Sequence, residues 1–299
     1  MDKFVIFHVE GGLGKNVAST AIIKNIKKKY PDRKLIVMAS FPEIFLNNPH
    51  IYRVYRIGIS PYFWLDYVNN KDTIIFRREP YFESQHMTLQ TSLVQTWHKM
   101  YDLPFNEKED LPEMYMNMLQ SSFANNYKRQ KPVMVIQTHG GPIGDNQPHY
   151  AWTRDMPPNV MEAIVNNFTN QYHIIQICKQ ESQAIKHQGV EPIFRQLSNH
   201  ELFSILQVSA KRVLIDSCMQ HAAAALRLPS VVLWIGTKPE TFGYSLHKNL
   251  KANDPPGSTK LVDSMYFDYQ LSGIVHECPY NSVDEMFNVQ NVMQEIAKF

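Results

Sequence analysis

Residues 10–16 read Glu-Gly-Gly-Leu-Gly-Lys-Asn, between an apolar run and an amphipathic one. Gly11, Gly12 and Gly14 would let the backbone approach a ligand closely. A helix starting behind them would offer free N–H groups and a partial positive charge to an anion. Three fingerprints compete for this turn. A P-loop needs Gly at 9 and Ser or Thr at 16, where Val9 and Asn16 stand, so the magnesium-binding hydroxyl is missing. The turn also resembles the deviant P-loop of partitioning ATPases, but Glu10 and Asn16 replace both functional positions. A Rossmann fingerprint needs Gly or Ala at 17 and an acid closing the second strand, where Val17 and Ser40 stand.

A second set is Asp216-Ser217, then His221, opening the Ala-rich run 222–225. Ser217 and a helix start could hold a phosphate or a ribose, and His221 could donate to a second phosphate. A Ser-capped helix with a core histidine is the plain alternative.

Elements that would position these groups follow from the patterning. Phe4–Val9 reads as a strand, and Val17, Ala18, Ala21, Ile22 and Ile26 form one helical face. Lys27-Lys28-Lys29 suits that helix's C-terminal turn. Leu35–Ala39 is a second strand, which makes a βαβ opening and a parallel sheet. Further strands are expected at 74–76, 132–136, 173–177, 213–215 and 231–234. Helices are expected at 89–101, 160–168, 200–206 and 220–226. A polar joint at 121–131 divides the chain into an N-terminal unit, 1–125, and a C-terminal unit, 132–280. Ser282 and Glu285 have capping-box spacing, so 281–299 reads as a helix docking back on the body. The fold class is α/β, with two doubly wound, Rossmann-like domains facing a cleft.

The 299 residues include 30 Lys plus Arg against 28 Asp plus Glu, with 44% hydrophobic. That excludes a disordered chain and a polycationic tail. Three cysteines without CxxC spacing argue against a disulfide scaffold or a structural zinc site. No window reaches the roughly 18 apolar residues of a membrane span. A cytoplasmic protein is expected.

Residues 197–237 resemble the nucleotide-binding half of the family 9 glycosyltransferases, the heptosyltransferase family. The pattern is Asn199-His200-Glu201-Leu202, Val213-Leu214-Ile215, Asp216-Ser217, His221, Pro229, Val231-Val232-Leu233, then Gly236-Thr237-Lys238-Pro239-Glu240. Residues 22–55 resemble the family's first βαβ. Arg154-Asp155-Met156-Pro157 resembles its Lys-x-Trp-Pro, whose cation contacts the donor diphosphate. The resemblance implies a GT-B fold and inverting transfer from a nucleotide-sugar. Donor-binding residues would be Gly11, Gly12, Gly14, Asn16, Arg154, Asp216, Ser217 and His221. Gly-Gly-Leu-Gly-Lys-Asn, with 47–55 downstream, looks like divergent members carried by tailed phages, for which the compartment would be the host cytoplasm.

One departure concerns catalysis. The family usually carries Asp, the acceptor's general base, where Lys15 stands. Lys15 could serve catalysis as a free cation gripping a phosphate, but lysine is a poor base at its ordinary pKa. Glu10 is the first substitute, and Glu79 and His86 are the next. Tyr81, with Phe82 and 62–64, could stack on a sugar or a base. No Asp-x-Asp pair occurs in the chain, so neither a metal nor another cofactor is expected. The Lys24, Lys27, Lys28, Lys29, Arg33 and Lys34 cluster suggests a polyanionic acceptor, either hydroxymethylated DNA or a phosphorylated glycan. A non-catalytic nucleotide-sugar-binding module is the rival of another class.

Overall fold

A computed structural model describes residues 2–140, 150–194, 197–256 and 278–299. The first sheet contains β1 (Lys3–Val9), β2 (Lys34–Ala39), β3 (Arg53–Arg56) and β4 (Asp72–Phe76). Its order is β3-β2-β1-β4, with every pair parallel. The second contains β5 (Val133–Gln137), β6 (His173–Ile177), β7 (Val190–Ile193), β8 (Ser209–Ile215), β9 (Val231–Trp234) and β10 (Lys248–Lys251). Its order is β10-β9-β8-β5-β6-β7, again all parallel. The chain runs outward from β5 through β6 to β7, then returns to β8 and runs outward the other way. The strand order therefore reverses between β5 and β8, where open α/β sheets bind ligands beyond the strand C-termini.

The βαβ opening forms, but its helix is interrupted. α1 (Leu13–Ser19) and α2 (Ile23–Lys29) are joined by a 3-10 turn, Thr20–Ile22. Ser19 Oγ donates to Asn16 O (2.8 Å) and Thr20 Oγ1 to Val17 O (2.7 Å), hydroxyl bonds that compete with the helical ladder. α3 (Phe63–Tyr67) follows β3, and α4 (Ser84–Met87) follows β4. α5 spans Leu93–Met100, later than expected, because Leu89 has a left-handed φ of 59° and Ser92 caps the helix instead. The expected polar joint is helical: α6 (Met118–Phe123) runs into a 3-10 turn, Ala124–Tyr127, and both lie on α8 (Asn199–Val208).

In the second half, α7 (Pro158–Phe168) follows β5 and α9 (Cys218–Ala225) follows β8. α10 (Pro239–Phe242) follows β9. The C-terminal helix α11 is Val289–Lys298 and docks on α7, burying Val292 and Ile296. The expected capping box does not form. Ser282 Oγ accepts from Asp284 N and caps a 3-10 turn, Val283–Glu285, while Asn288 caps α11.

The central strands of both sheets are buried on both faces, as parallel sheets require. Val5, Phe7 and Val9 share one continuous core with Val135, Leu214 and Val232. Phe4, Ile6 and Ile36 pack outward on Phe63 and Tyr67. Each such fully buried side chain contributes about 1.5–3 kcal/mol. Contacts tie the C-terminal edges of the two sheets together. Asn199 Nδ2 donates to Glu43 Oε1 (2.7 Å), Gly14 abuts α9, and the Tyr81 and Phe242 rings meet edge-on at 6.3 Å.

Candidate functional site

The switch point of the second sheet, between β5 and β8, is where an open α/β sheet places its ligand crevice. Ser217 caps α9, accepting from Met219 N (3.1 Å), and its hydroxyl donates to Gln137 Oε1 at the end of β5. Asp216 accepts from the Thr237 hydroxyl after β9. The ends of β5, β8 and β9 are thus linked by side chains, and the α9 N-terminus opens between them.

Arg154 reaches this crevice from the loop before α7. Its Cδ would lie 3.1 Å from a Cβ at Gly140, beside Ile215 Cδ1 at 3.2 Å, which places the side chain across the β5–β8 gap. Residues 151–156 are held by several hydrogen bonds. Asp155 Oδ1 accepts from Gly140 N (2.9 Å) and Oδ2 from Ala151 N (2.8 Å). Met156 N donates to Thr138 O (2.9 Å) and Gly236 N to Thr153 O (2.6 Å). Burial raises the Asp155 carboxyl above its ordinary value, against those two N–H bonds and the cations Lys179 and Arg154.

Lys179, just past β6, was not singled out by the sequence reading. It is 8% exposed, with Asp155 and Arg154 as charged neighbours, and burial pushes its ammonium pKa down. No hydrogen bond of its ammonium is found among the described residues. Arg154 thus lies by the α9 N-terminus with Lys179 as its charged neighbour, an arrangement suited to a diphosphate. The readable signal was positional: Gln137 is the polar last residue of β5, and Lys179 is a polar residue two positions past β6.

His221 is a correction. Its Nδ1 lies 2.7 Å from the Tyr244 hydroxyl, and its Cδ2 would lie 3.0 Å from a Cβ at Gly14. Burial, then His247, pushes its imidazole down to about 3. The ring is buried between Gly14 of α1 and Tyr244, and burial favours its neutral form, unlike the phosphate donor expected from the sequence.

The glycine turn sits at the matching edge of the first sheet. Gly11 has φ 102°, and its N–H donates to Ser40 Oγ (3.2 Å). Asn16 is fully buried. Its amide donates to Gly11 O (3.2 Å) and Gly12 O (2.9 Å), and its Oδ1 accepts from Phe41 N (3.4 Å). Asn16 therefore staples the turn and is spent, contrary to its expected place on the donor. Gly12, the α1 N-cap, borders open space, whereas Gly14 is a close-approach glycine against His221 and Cys218.

Lys15 is 8% exposed, ion-paired with Glu79 and 4.9 Å from the Tyr81 ring centre. Its ammonium is committed and does not grip a phosphate. Glu10 shares strand parity with His8, Ile6 and Phe4, so it turns to the outer face. There it pairs with His8 (3.3 Å) and Arg77 (3.8 Å), which removes it as the first choice of base. His86 is fully buried, with Nδ1 3.0 Å from Thr91 O and its ring stacked on Tyr81, and burial lowers its pKa. It is a packing residue.

The lysine cluster lies at the opposite edge of the first sheet, where α2 ends and β2 begins. Lys27 donates to Pro31 O and Arg33 O, and Lys29 to Tyr101 O and Asp102. Arg33 forks onto Asp72. These cations satisfy a helix end and do not face the crevice.

Among the described residues, no group of three or more His, Cys, Asp or Glu could hold a metal ion, and no helix is long and apolar enough to cross a membrane. No family model matches the chain, and no curated protein does. Solved structures do. Heptosyltransferase II of E. coli, an ADP-heptose lipopolysaccharide enzyme, is 12% identical and superposes at TM-score 0.63, over 98% of this chain and 99% of that one. A family 9 glycosyl transferase from Veillonella parvula is 10% identical at TM-score 0.63, covering 99% and 96%. The dodecameric, iron-containing heptosyltransferase TibC of enterotoxigenic E. coli, solved with ADP-D-beta-D-heptose, is 13% identical at TM-score 0.66, covering 98% and 77%. These likenesses, with two all-parallel sheets meeting at their C-terminal edges, establish the fold: the chain is an α/β protein of the GT-B type.

Proposed function

We propose that the chain is a family 9-type glycosyltransferase, moving a sugar from a nucleotide-sugar to an acceptor hydroxyl by inverting displacement. The observation that carries this reading is Arg154 beside the Ser217-capped start of α9 at the β5–β8 switch point, with Lys179 as its charged neighbour. The acceptor oxygen attacks the anomeric carbon from the face opposite the diphosphate. The bond from that carbon to the diphosphate oxygen breaks, and the electron pair leaves with the nucleotide. Charge builds on that leaving oxygen in the transition state. Fixed cations and backbone N–H groups there lower the barrier without reorganising. The TibC complex with a nucleotide-heptose supports the donor class.

The acceptor in this reading is a phosphorylated glycan. Arg56 at the end of β3 and Arg78 just past β4 are exposed at the C-terminal edge of the first sheet, with Tyr62, Trp64 and Phe82 exposed on the same half. This surface, unlike the lysine cluster, could meet an anionic sugar next to the donor. The lipopolysaccharide acceptor class named for the E. coli relative favours a glycan over a DNA base.

The test is calorimetry with ADP, UDP and GDP, then transfer from the matching nucleotide-sugars. Acceptors are lipopolysaccharide core and duplex DNA with hydroxymethylcytosine. Labelling of the core is expected. Labelling of DNA alone would overturn the glycan acceptor, binding without transfer to either would favour a non-catalytic module, and no nucleotide binding would overturn the function.

A further inference from the structure

We infer that Glu79 is the general base of this transferase and that Lys15 positions it. The inference rests on the glycosyltransferase reading above and names the proton acceptor that reading needs.

The candidate carboxylates at the C-terminal edge of the first sheet are few. Glu10 turns to the outer face and its charge is met by His8 and Arg77. Glu43 accepts from Asn199 and ties the two halves together. Glu83 pairs with Arg78. Across the crevice, Asp216 is held by Thr237 and Asp155 by two backbone N–H groups. Glu79 is paired too, but with a buried lysine behind it, and it lies beside the start of α1, which touches the donor half. Lys15 is its partner, and the neighbouring residue Gly14 lies against Cys218 and His221 of α9.

The pair has a direction. The Lys15 side chain is 6% exposed and that of Glu79 is 32% exposed. The ammonium therefore sits behind and the carboxylate in front. A Cβ on Gly11 would lie 3.2 Å from Lys15 Cδ, and the Tyr81 ring flanks the ammonium. Neither leaves the lysine room to swing toward a ligand. Glu79 Oε1 also accepts from Tyr81 N (3.3 Å), which fixes the carboxylate plane. A lysine at the helix start thus anchors a carboxylate delivered from the loop after β4. The base is supplied from a different strand end, and the cation at position 15 is its support.

In the step itself the acceptor hydroxyl proton passes to a Glu79 carboxylate oxygen as the acceptor oxygen bonds to the anomeric carbon. The diphosphate leaves with the electron pair of the broken bond. The protonated carboxyl then returns its proton to water through its exposed side.

Glu79→Gln keeps the shape and removes the base. Transfer kcat should fall about 100- to 10,000-fold, the usual range for a lost general base. Nucleotide affinity should stay within about 3-fold of wild type, and the acidic limb of the kcat/KM pH profile should disappear. Glu79→Gln alone leaves a buried ammonium unpaired, so the double variant Lys15→Met with Glu79→Gln is made beside it. If the pair is only structural, the neutral double variant recovers wild-type kcat, and the inference is wrong. If Glu79 is the base, the double variant binds nucleotide, melts near wild type and stays inactive. Wild-type protein that binds no nucleotide would instead defeat the glycosyltransferase reading, so the two failures are distinguishable.

Discussion

Gly14 of α1 and Cys218 of α9 lie back to back: a Cβ on Gly14 would sit 3.4 Å from the Cys218 Cα and 3.0 Å from His221 Cδ2. The two helix starts can meet there because one carries no side chain. Gly14→Val should push α1 away from α9 and lower unfolding stability by about 1–3 kcal/mol, the usual cost of overpacking. Urea titration reads this, and Gly12→Ala, whose Cβ meets open space, is its control. Equal midpoints for both variants would contradict the contact.

Arg154 and Lys179 should both matter for nucleotide diphosphate binding. Charge-assisted hydrogen bonds are worth about 1.5–3 kcal/mol, so Arg154→Ala and Lys179→Met should each weaken binding roughly 10- to 100-fold. Calorimetry with the preferred nucleotide measures it. Unchanged affinity in both variants would sink the crevice as the donor site.

Acid should destabilise the fold through two buried histidines. Burial pushes His221 down to about 3 and His247 to about 4, from an ordinary 6.5. Across that window the unfolded chain binds protons that the folded chain excludes, so stability rises with pH. The contribution is complete above about 6.5 and is lost as pH falls toward these folded values. Urea midpoints measured from pH 7 to pH 4.5 should decline, and less steeply in His221→Asn. A wild-type midpoint flat over this range would refute the assignment.

Asn16 is a staple, so Asn16→Ala should act on stability. It removes the donor serving the Gly11 and Gly12 carbonyls and should cost about 1–3 kcal/mol. Loss of nucleotide affinity with no change in melting would place Asn16 on the ligand instead.

Charge reversal at Lys24 and Lys28, exposed on α2 at the far edge, should leave the acceptor KM and its salt dependence unchanged. Arg56→Glu with Arg78→Glu should raise KM. A kinetic comparison of the two double variants checks it, and the reverse pattern would restore the lysine cluster as the acceptor surface.

The local βαβ logic was legible in the chain. Runs such as Phe4–Val9, His173–Ile177 and Val231–Trp234 are apolar on both faces, and buried parallel strands need that. The Asp216-Ser217 turn was legible because a serine cap before an Ala-rich helix is local chemistry. β3, β7 and β10 were not read. All three are four-residue edge strands carrying Arg53 and Arg56, Glu191 and Pro192, and Lys248 and Lys251. Edges tolerate charge and proline, so the hydrophobic signal fades where sheets end. Residue roles in the crevice depended on contacts far apart in sequence. Lys15 read as a free cation until Glu79, 64 positions away, was found against it. His221 read as a phosphate donor until Gly14 and Tyr244 enclosed it. Sequence spacing sets which groups share a helix face or a strand end. Which of them is spent on a neighbour and which is left for a ligand is decided when separate strand ends meet, and only the tertiary structure brings those ends together.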